Sequence, residues 1–363
     1  MRCTKFELIE HNSSKASSGY TLLTPIANGH HTSYLLDMDG QIAHQWELPG
    51  FRGGCSRLLP NGNLLTSLRA DLNITPSREE PRVIRELDWD GNTVWECNAP
   101  AQHHDFHRLT NGNTVYIGFE RISAKNITRI QGGVAGSEMS DGGILGDCLR
   151  EVDIDGDVVW EWSAQDYMEL ENYPIHPLQP RDEFCHANSI FPLSNGDYLI
   201  SFRRNSMIFI IDRTTKKVRW EKQDPTWGGQ HDAQQLDNGN ILLFANGLLQ
   251  ISPSKGSRII EFNPETEEEV WVYEGDPPWA FYSPHISGAQ RLWSGNTLIC
   301  EGIWGRIFEI TPDGEIVWEY ISPHFGPCGP PDVNNPSAIG NWVFRAYRYA
   351  ADSPEINGRL PEV

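Results

Sequence analysis

Short runs of alternating apolar and polar residues, each interrupted by an Asn-Gly or Asp-Gly pair, recur along the chain. One recurring phrase ends in tryptophan, as in ELDWDGNTVW (86–95) and EVDIDGDVVW (151–160). A second phrase precedes it, as in RLTNGNTVYIGF (108–119). Asn-Gly and Asp-Gly supply the positive φ angles that tight turns need, and the flanking residues alternate with the two-residue period of a strand. The pattern therefore predicts β-hairpins in pairs.

The number of copies predicts the architecture. The second phrase occurs five times and the first phrase six times, with its tryptophans at Trp46, Trp95, Trp160, Trp220, Trp271 and Trp318. Two hairpins make a four-stranded antiparallel sheet of about 40 to 45 residues, which is the size of a propeller blade. Each tryptophan is expected to pack between neighbouring blades. The repeats thus predict an all-β fold, a six-bladed β-propeller of four-stranded antiparallel blades.

The missing sixth copy of the second phrase is explained by the two chain ends. The segment NWVFRAYRY (341–349) has the pattern of the innermost strand of a last blade, whose other strands come from residues 19–48. Pairing of the N- and C-terminal strands removes the exposed edges of an open sheet. We expect one propeller domain over residues 1–363, with 350–363 as a C-terminal tail.

Histidines fall where the connections between strands are longest. The longest irregular stretches are 120–147, 163–185, 275–284 and 322–337, and loops on a rigid scaffold often carry function. Buried histidine nitrogens need partners, so equivalent histidines in consecutive blades are difficult to explain by packing alone. We interpret them as a ring at the mouth of the central channel, joined by Arg345 and Arg348 of the last strand. Aligning the repeats places the ring at the start of four consecutive innermost strands, at His104, His186, His231 and His285.

Composition and charge restrict the expected partners. The formal net charge is -20, and a negative mean field repels phosphate, so neither nucleic acid nor an anionic membrane is expected. No segment approaches the length of a membrane span, and the first residues lack the apolar region of a leader. The protein is therefore expected to be cytoplasmic. The seven cysteines contain no C-x-x-C pair and do not indicate a disulfide framework, and the oligomeric state stays open.

Five segments resemble the arylsulfotransferase family, the phosphoadenylate-independent enzymes that move sulfate between phenols. They are GYTLLTP, LLPNGNLL, HANSI with the following SFRR, GQHDAQQLDNGNILLFANG and VFRAYRY. The resemblance covers nearly the whole chain and is strongest to the shorter, less characterised branch of the family. It implies a six-bladed propeller and a transferase that needs no cofactor.

The resemblance also implies roles for individual residues. His231 in GQHDA matches the family's nucleophile, which becomes sulfated on a ring nitrogen. His186 and Asn188 match the family's His-x-Asn. Arg203 matches its sulfate-binding arginine, with Arg204 as the neighbouring candidate.

His104 matches a further active-site histidine, and the chemistry of the transfer fits this set. A neutral imidazole can attack sulfur, and cations or hydrogen-bond donors are needed on the oxygens of the transferring group. A second histidine can exchange a proton with the phenol. We therefore expect His231, His104, His186 and Arg203 to be catalytic. A small aromatic substrate is expected to contact Asn188, His285, Arg204, Arg345, Tyr167 and Trp279.

Two alternatives come from the same residues. The four histidines His104, His186, His231 and His285 could bind a divalent metal at the propeller axis, giving a lyase, hydratase or oxygenase. The outer carboxylates would then be Glu120, Glu138, Asp141 and Asp147. A guanidinium at Arg203 is electrostatically unfavourable beside such a cation. The other alternative is a non-catalytic ligand-binding propeller, because fold does not fix function.

Overall fold

The computed structural model describes residues 5–26, 31–50, 55–70, 78–248, 256–328 and 338–360. The structure contains six antiparallel blades of four strands each, which confirms the predicted all-β fold and the six-bladed β-propeller. The chain forms two compact units. The first unit contains Met1–Asn73, Val83–Cys97 and His285–Val363, and the second contains Ile74–Arg82 and Asn98–Pro284. The assignment of one domain to the whole chain stays a prediction.

The second unit contains three blades, numbered here in chain order. Blade 2 consists of Gln102–Arg108, Thr114–Arg121, Leu145–Val152 and Val158–Ser163. Blade 3 consists of Ala187–Pro192, Tyr198–Phe202, Met207–Ile211 and Val218–Gln223. Blade 4 consists of His231–Gln235, Ile241–Ala245, Arg258–Phe262 and Glu269–Glu274.

The first unit contains the other three blades. Blade 1 consists of Ser56–Leu58, Leu64–Arg69, Arg82–Leu87 and Thr93–Asn98. Blade 5 consists of Gly288–Arg291, Thr297–Glu301, Arg306–Ile310 and Ile316–Ile321, and the N-terminal strand Glu7–His11 extends it. This fifth strand was not predicted. Blade 6 consists of Val343–Tyr349, Tyr20–Pro25, Thr32–Leu36 and Ile42–Glu47.

The remaining elements are short and lie in the connections. Two strand pairs are Gly132–Val134 with Ile175–Pro180, which run parallel, and Gly326–Cys328 with Ala338–Gly340, which run antiparallel. The helices are Ala124–Ile127 and Ala164–Tyr167, with 3-10 turns at Leu170–Asn172, Pro225–Trp227, Pro278–Ala280 and Gly302–Trp304. Among the described residues, no helix is both long and apolar enough to span a membrane. The expected localisation and partners stay predictions.

The repeated turn phrases fold as the sequence predicts. In blade 1, the Asp88 carboxylate accepts hydrogen bonds from the backbone N–H of Asp90 at 3.0 Å and of Asn92 at 2.8 Å. Gly91 in the same turn has φ +83°, which a residue with a Cβ rarely adopts. An aspartate that binds its own turn amides favours this tight connection over a helix or a longer loop.

Three of the repeated tryptophans each donate a hydrogen bond to a turn of the following blade. Within the second unit, the Trp160 indole N–H donates to the Arg213 carbonyl at 2.8 Å and that of Trp220 donates to the Pro264 carbonyl at 3.1 Å. Within the first unit, Trp46 donates to the Asp88 carbonyl at 3.0 Å. Each indole therefore fills apolar space and also satisfies its one polar atom.

The predicted pairing of the two chain ends is confirmed in blade 6. Val343–Tyr349 pairs antiparallel with Tyr20–Pro25, with Tyr349 opposite Tyr20 and Val343 opposite Pro25. Arg348 of the C-terminal strand, expected at the channel, is instead fully buried in an ion pair with Glu309 of blade 5. Its guanidinium also donates to Thr21 Oγ1 at 3.0 Å and lies 4.4 Å from the centre of the Trp318 ring.

Arg348→Met is expected to lower the free energy of unfolding by about 3 to 5 kcal/mol, because it leaves the buried Glu309 carboxylate without its cation. Burial has already lowered the pKa of Arg348 to about 10. Urea unfolding followed by tryptophan fluorescence measures the change. The matched control is Arg85→Met, since Arg85 pairs with Glu96 at the surface and its loss should cost less than about 1 kcal/mol. Equal losses in the two variants would contradict the prediction.

Candidate functional site

The first strands of blades 2, 3 and 4 each have a left-handed backbone residue at or near their start. His104 has φ +57°, His186 has φ +58° and Asp232 has φ +56°. At or beside each of these residues, the pairing between the first and second strands of the blade shifts in register. The first strand therefore has more residues than the second strand over the same stretch, which is a β-bulge. A bulge of this kind re-aims side chains and interrupts the alternation of a strand. The three strands thus carry the same local distortion beside their histidines.

The first strands also bind one another through side chains. The Asp105 carboxylate of blade 2 accepts a hydrogen bond from the Ile190 backbone N–H of blade 3 at 3.2 Å. Ser189 of blade 3 accepts one from the Ala233 backbone N–H of blade 4, also at 3.2 Å. These hydrogen bonds fix the histidine-bearing ends of the three strands relative to one another.

Three histidines of blades 2 and 3 lie in contact. The Nδ1 atoms of His103 and His104 are 2.6 Å apart, which is a hydrogen bond between the two rings. The ring centres of His104 and His186 are 4.8 Å apart, in an edge-to-face arrangement. His103 was not predicted as a site residue, because consecutive strand residues normally face opposite sides. The bulge at His104 brings both rings together.

A buried carboxylate stands behind His103. Asp147 is 0% exposed, and its Oδ1 lies 3.3 Å from His103 Nε2. Burial raises the pKa of this carboxyl, while the interaction with His103 opposes that change. The other face of the His103 ring stacks on Phe119, with 3.7 Å between ring centres. His103 is therefore held between a carboxylate, an aromatic ring and the His104 imidazole.

A second carboxylate stands behind His186. The Nδ1 atom of His186 hydrogen-bonds to the carboxylate of Glu183, which is 1% exposed. Glu183 is itself paired with Arg78 at 2.6 Å and with Arg204 at 3.5 Å. In the neutral ring, a proton on Nδ1 that is donated to Glu183 leaves the lone pair of His186 on Nε2.

His231 is oriented by an amide of its own blade. Its Nδ1 lies 2.7 Å from Asn246 Oδ1 and 3.1 Å from the Gly229 carbonyl, and both of these atoms are acceptors. The amide orientation of Asn246 is defined because its Nδ2 donates to the Ser283 carbonyl at 2.8 Å. The proton of the neutral His231 ring is therefore on Nδ1, and the lone pair is on Nε2.

Arg203 is the cation of this site. No carboxylate pairs with its guanidinium among the described residues, and its buried Nε has no hydrogen-bond partner there. Burial and the charge of Arg204 lower the pKa of Arg203. A buried guanidinium without a counter-ion is a favourable position for an anion, because the bound anion replaces the lost solvation.

The histidines beside this cation are held neutral. Burial lowers the pKa of His104 well below the ordinary value of 6.5, and nearby positive charge lowers it further, from His186, His103, His231 and Arg203. Burial and the charge of Arg203 act in the same direction on the pKa of His186. Neutral imidazoles are the form that can accept a proton or act as a nucleophile.

A cavity of about 630 Å³ adjoins Arg203. Its walls come from blades 3 and 4 and from the loop strands Gly132–Val134 and Ile175–Pro180, which belong to two of the long loops identified in the sequence. The apolar lining residues are Pro174, Ile175, Pro177, Pro225 and Leu248.

Two predicted binding residues have structural partners in this unit. The Asn188 side chain donates to the Gln230 carbonyl at 2.7 Å, directly before His231. Arg204 pairs with Asp182 at 2.9 Å and donates to the carbonyls of Pro180 and Glu183. Arg204 is thus engaged by protein groups, which leaves Arg203 as the better candidate for an anion.

The other predicted binding residues contact different groups. Tyr167 is 39% exposed and lies beside Trp162, and Trp279 is 70% exposed, and neither is among the residues that line the cavity. His285 and Arg345 belong to the first unit, where His285 contacts Trp342 and Arg345 lies over the Phe344 ring. Their convergence with the other histidines stays a prediction.

The carboxylates expected to support a metal have other partners, with one exception. Glu120 accepts from Ser163, Glu138 pairs with Arg181 and Asp141 pairs with Arg121. Asp147 alone of the four is seen beside a histidine, His103. In the part of the chain that the structure describes, no group of three or more His, Cys, Asp or Glu side chains has the arrangement of a metal site. The metal-dependent alternative stays a prediction.

Comparison with solved structures supports the fold. A protein of unknown function from Bacteroides caccae shares 14% identity and a TM-score of 0.55, over 91% of this chain and 98% of that one. A catalytically inactive virginiamycin B lyase from Staphylococcus aureus, solved with quinupristin, shares 14% identity and a TM-score of 0.47, over 90% and 92% of the two chains. A search of curated sequences finds no match.

A match to a family model assigns the chain to a protein family, which the structural comparisons do not. The model described as Arylsulfotransferase (ASST) matches residues 45–323, which is most of the chain. This range includes all the residues placed in the site above, from Asp147 and the paired histidines to Arg203 and His231. The protein therefore belongs to the arylsulfotransferase family.

Proposed function

We propose that the protein transfers a sulfuryl group from an aryl sulfate to a phenolic acceptor, through a sulfo-histidine at Nε2 of His231. The observation that carries the proposal is the tautomer of His231. Asn246 accepts at Nδ1, so the nucleophilic lone pair of the neutral ring is at Nε2. Membership of the arylsulfotransferase family supports the reaction class.

The first step forms the bond between His231 Nε2 and sulfur. The S–O bond to the aryl group breaks as the S–N bond forms, and its electron pair leaves on the phenolate oxygen. The phenolate leaves as the anion, because the neighbouring imidazoles of His104 and His186 are neutral. The Arg203 guanidinium stabilises the negative oxygens of the transferring group.

The second step reverses the first with a different phenol. The neutral imidazole of His104 or His186 accepts the proton of the acceptor phenol, whose oxygen then attacks sulfur, and afterwards releases that proton to water. The S–N bond breaks and returns its electron pair to His231 Nε2. The protein is restored without any oxidant, reductant or cofactor.

The buried carboxylates prepare the two proton-transfer histidines. Asp147 next to His103 stabilises positive charge on that ring, and His103 is hydrogen-bonded to His104. Glu183 fixes the tautomer of His186 through its hydrogen bond to Nδ1. We assign His103 and Asn246 as positioning residues, since each acts through another histidine.

His231→Ala is expected to lower kcat/KM for transfer from 4-nitrophenyl sulfate to phenol by at least about 1000-fold, because it removes the nucleophile. Intact-protein mass spectrometry of the wild type without an acceptor should show one added sulfuryl group, which His231→Ala lacks. His11→Ala, on the edge strand of blade 5, is the control and should retain activity. Transfer by His231→Ala at the wild-type rate would contradict the proposal.

Asn246→Leu is expected to lower kcat by about 100-fold with a smaller change in KM, because the His231 ring loses the acceptor that orients it. Asn246→Asp keeps an oxygen acceptor at this position and should recover part of kcat. Steady-state kinetics of both variants measures the difference. If the two variants lose activity equally, the oxygen of Asn246 does not orient His231.

The acid limb of the kcat/KM profile of the wild type for the acceptor phenol is expected below pH 6.5. Burial and neighbouring positive charge lower the pKa of His104, so its neutral form persists as the pH falls. His103→Asn removes one of those charges, and the pKa of His104 should rise. The acid limb should therefore move to higher pH. A uniform loss of activity at every pH, with the limb unmoved, would show that His103 is only structural.

A further inference from the structure

We infer that the cavity of about 630 Å³ beside Arg203 binds the aromatic part of the sulfate ester, with the anionic group of the ester at the Arg203 guanidinium. The inference rests on the proposed function and adds the location and the class of the donor. The size favours donors with two or more rings over a single phenyl ring, because cavities of about 300 to 1,000 Å³ hold drug-sized ligands.

The charges around the cavity single out one arginine. Arg203, Arg204 and Arg258 all line it. Arg204 pairs with Asp182 at 2.9 Å, and Arg258 lies 3.3 Å from Glu269. Arg203 has no such partner among the described residues. One anionic group therefore has one favoured position along the cavity wall, at Arg203.

Two polar atoms of the cavity lining indicate that the cavity binds a ligand. Arg203 Nε and Asn205 Oδ1 are buried, and neither has a hydrogen-bond partner in the described ranges. Buried polar atoms are normally paired, so an unpaired donor and acceptor beside one cavity indicate groups that a ligand satisfies. Asn205 is fixed in place, because its Nδ2 donates to the carbonyls of Tyr173 and Pro174.

The backbone between the cavity and His231 keeps the two close. Gly228 and Gly229 line the cavity, three and two residues before the proposed nucleophile His231. Both have positive φ, and a Cβ on Gly228 would lie 2.5 Å from the Leu248 backbone nitrogen. A Cβ on Gly229 would lie 3.3 Å from Arg203 Cγ. Glycine here lets the Arg203 stem pack against the chain that carries His231.

The test measures binding separately from transfer. His231→Ala cannot form the sulfo-histidine, so the affinity of this variant for 4-methylumbelliferyl sulfate is measured by isothermal titration calorimetry. Adding Leu248→Trp fills the cavity and should weaken binding at least tenfold. The matched control is Leu178→Trp, because Leu178 is 69% exposed and does not line the cavity. It should change the affinity less than twofold.

Two further comparisons test the anionic group and the size. Arg203→Met should weaken 4-methylumbelliferyl sulfate at least tenfold and uncharged 4-methylumbelliferone less than threefold. The two-ring sulfate should bind more tightly than 4-nitrophenyl sulfate in the same His231→Ala background. Thermal unfolding confirms that each variant folds, and Leu248→Phe replaces Leu248→Trp if the larger ring prevents folding.

The outcomes separate the two proposals. If the Leu248→Trp variant binds 4-methylumbelliferyl sulfate as tightly as the Leu178→Trp variant does, the inference is overturned, even when the wild type transfers sulfuryl groups. The wild type could instead lack transfer activity while His231→Ala binds 4-methylumbelliferyl sulfate tightly and Leu248→Trp abolishes that binding. This outcome would overturn the proposed function and leave the cavity as a site for aromatic anions.

Discussion

The left-handed backbone at His104, His186 and Asp232, at the first strands of blades 2, 3 and 4, is the constraint on which the site depends. Such a backbone costs about 1 to 3 kcal/mol at each residue, and it persists only where the surroundings hold it. Here the hydrogen bonds that Asp105 and Ser189 accept from backbone N–H groups of the next blade supply that support. The distortion lets two consecutive histidines, His103 and His104, share one cluster, which a regular strand would separate.

Charge is distributed in the site so that one cation stays available. Three imidazoles beside a guanidinium would repel one another if all were protonated, and burial keeps His104 and His186 neutral. The carboxylates of Asp147 and Glu183 lie behind histidines, where they select tautomers, and neither neutralises Arg203. In the proposed reaction, an approaching anion therefore meets the positive field of Arg203 beside neutral His104 and His186, as sulfuryl transfer requires.

The fold was predictable from the sequence because turn residues and strand alternation are local signals, repeated six times. The pairing of 341–349 with the N-terminal strands followed from the count of the repeats. The partners of the site histidines were not predictable, since Asn246 and Asp147 are distant in sequence and become neighbours only in the folded sheet. His103 was not identified as a site residue, because no sequence signal marked the bulge that brings it to His104. Arg348 was wrongly expected at the channel for a similar reason: its partner, Glu309, lies in another repeat.

The construction of blade 6 from both chain ends has a consequence for synthesis on the ribosome. The strands Tyr20–Pro25 and Thr32–Leu36 emerge early, yet the strand that completes their sheet is among the last to be made. Until then the Tyr20–Pro25 strand has an open edge, and open edges pair readily with other chains. The Arg348–Glu309 ion pair also forms only after the last strand is made. A nascent or truncated chain therefore lacks this contact between blades 5 and 6.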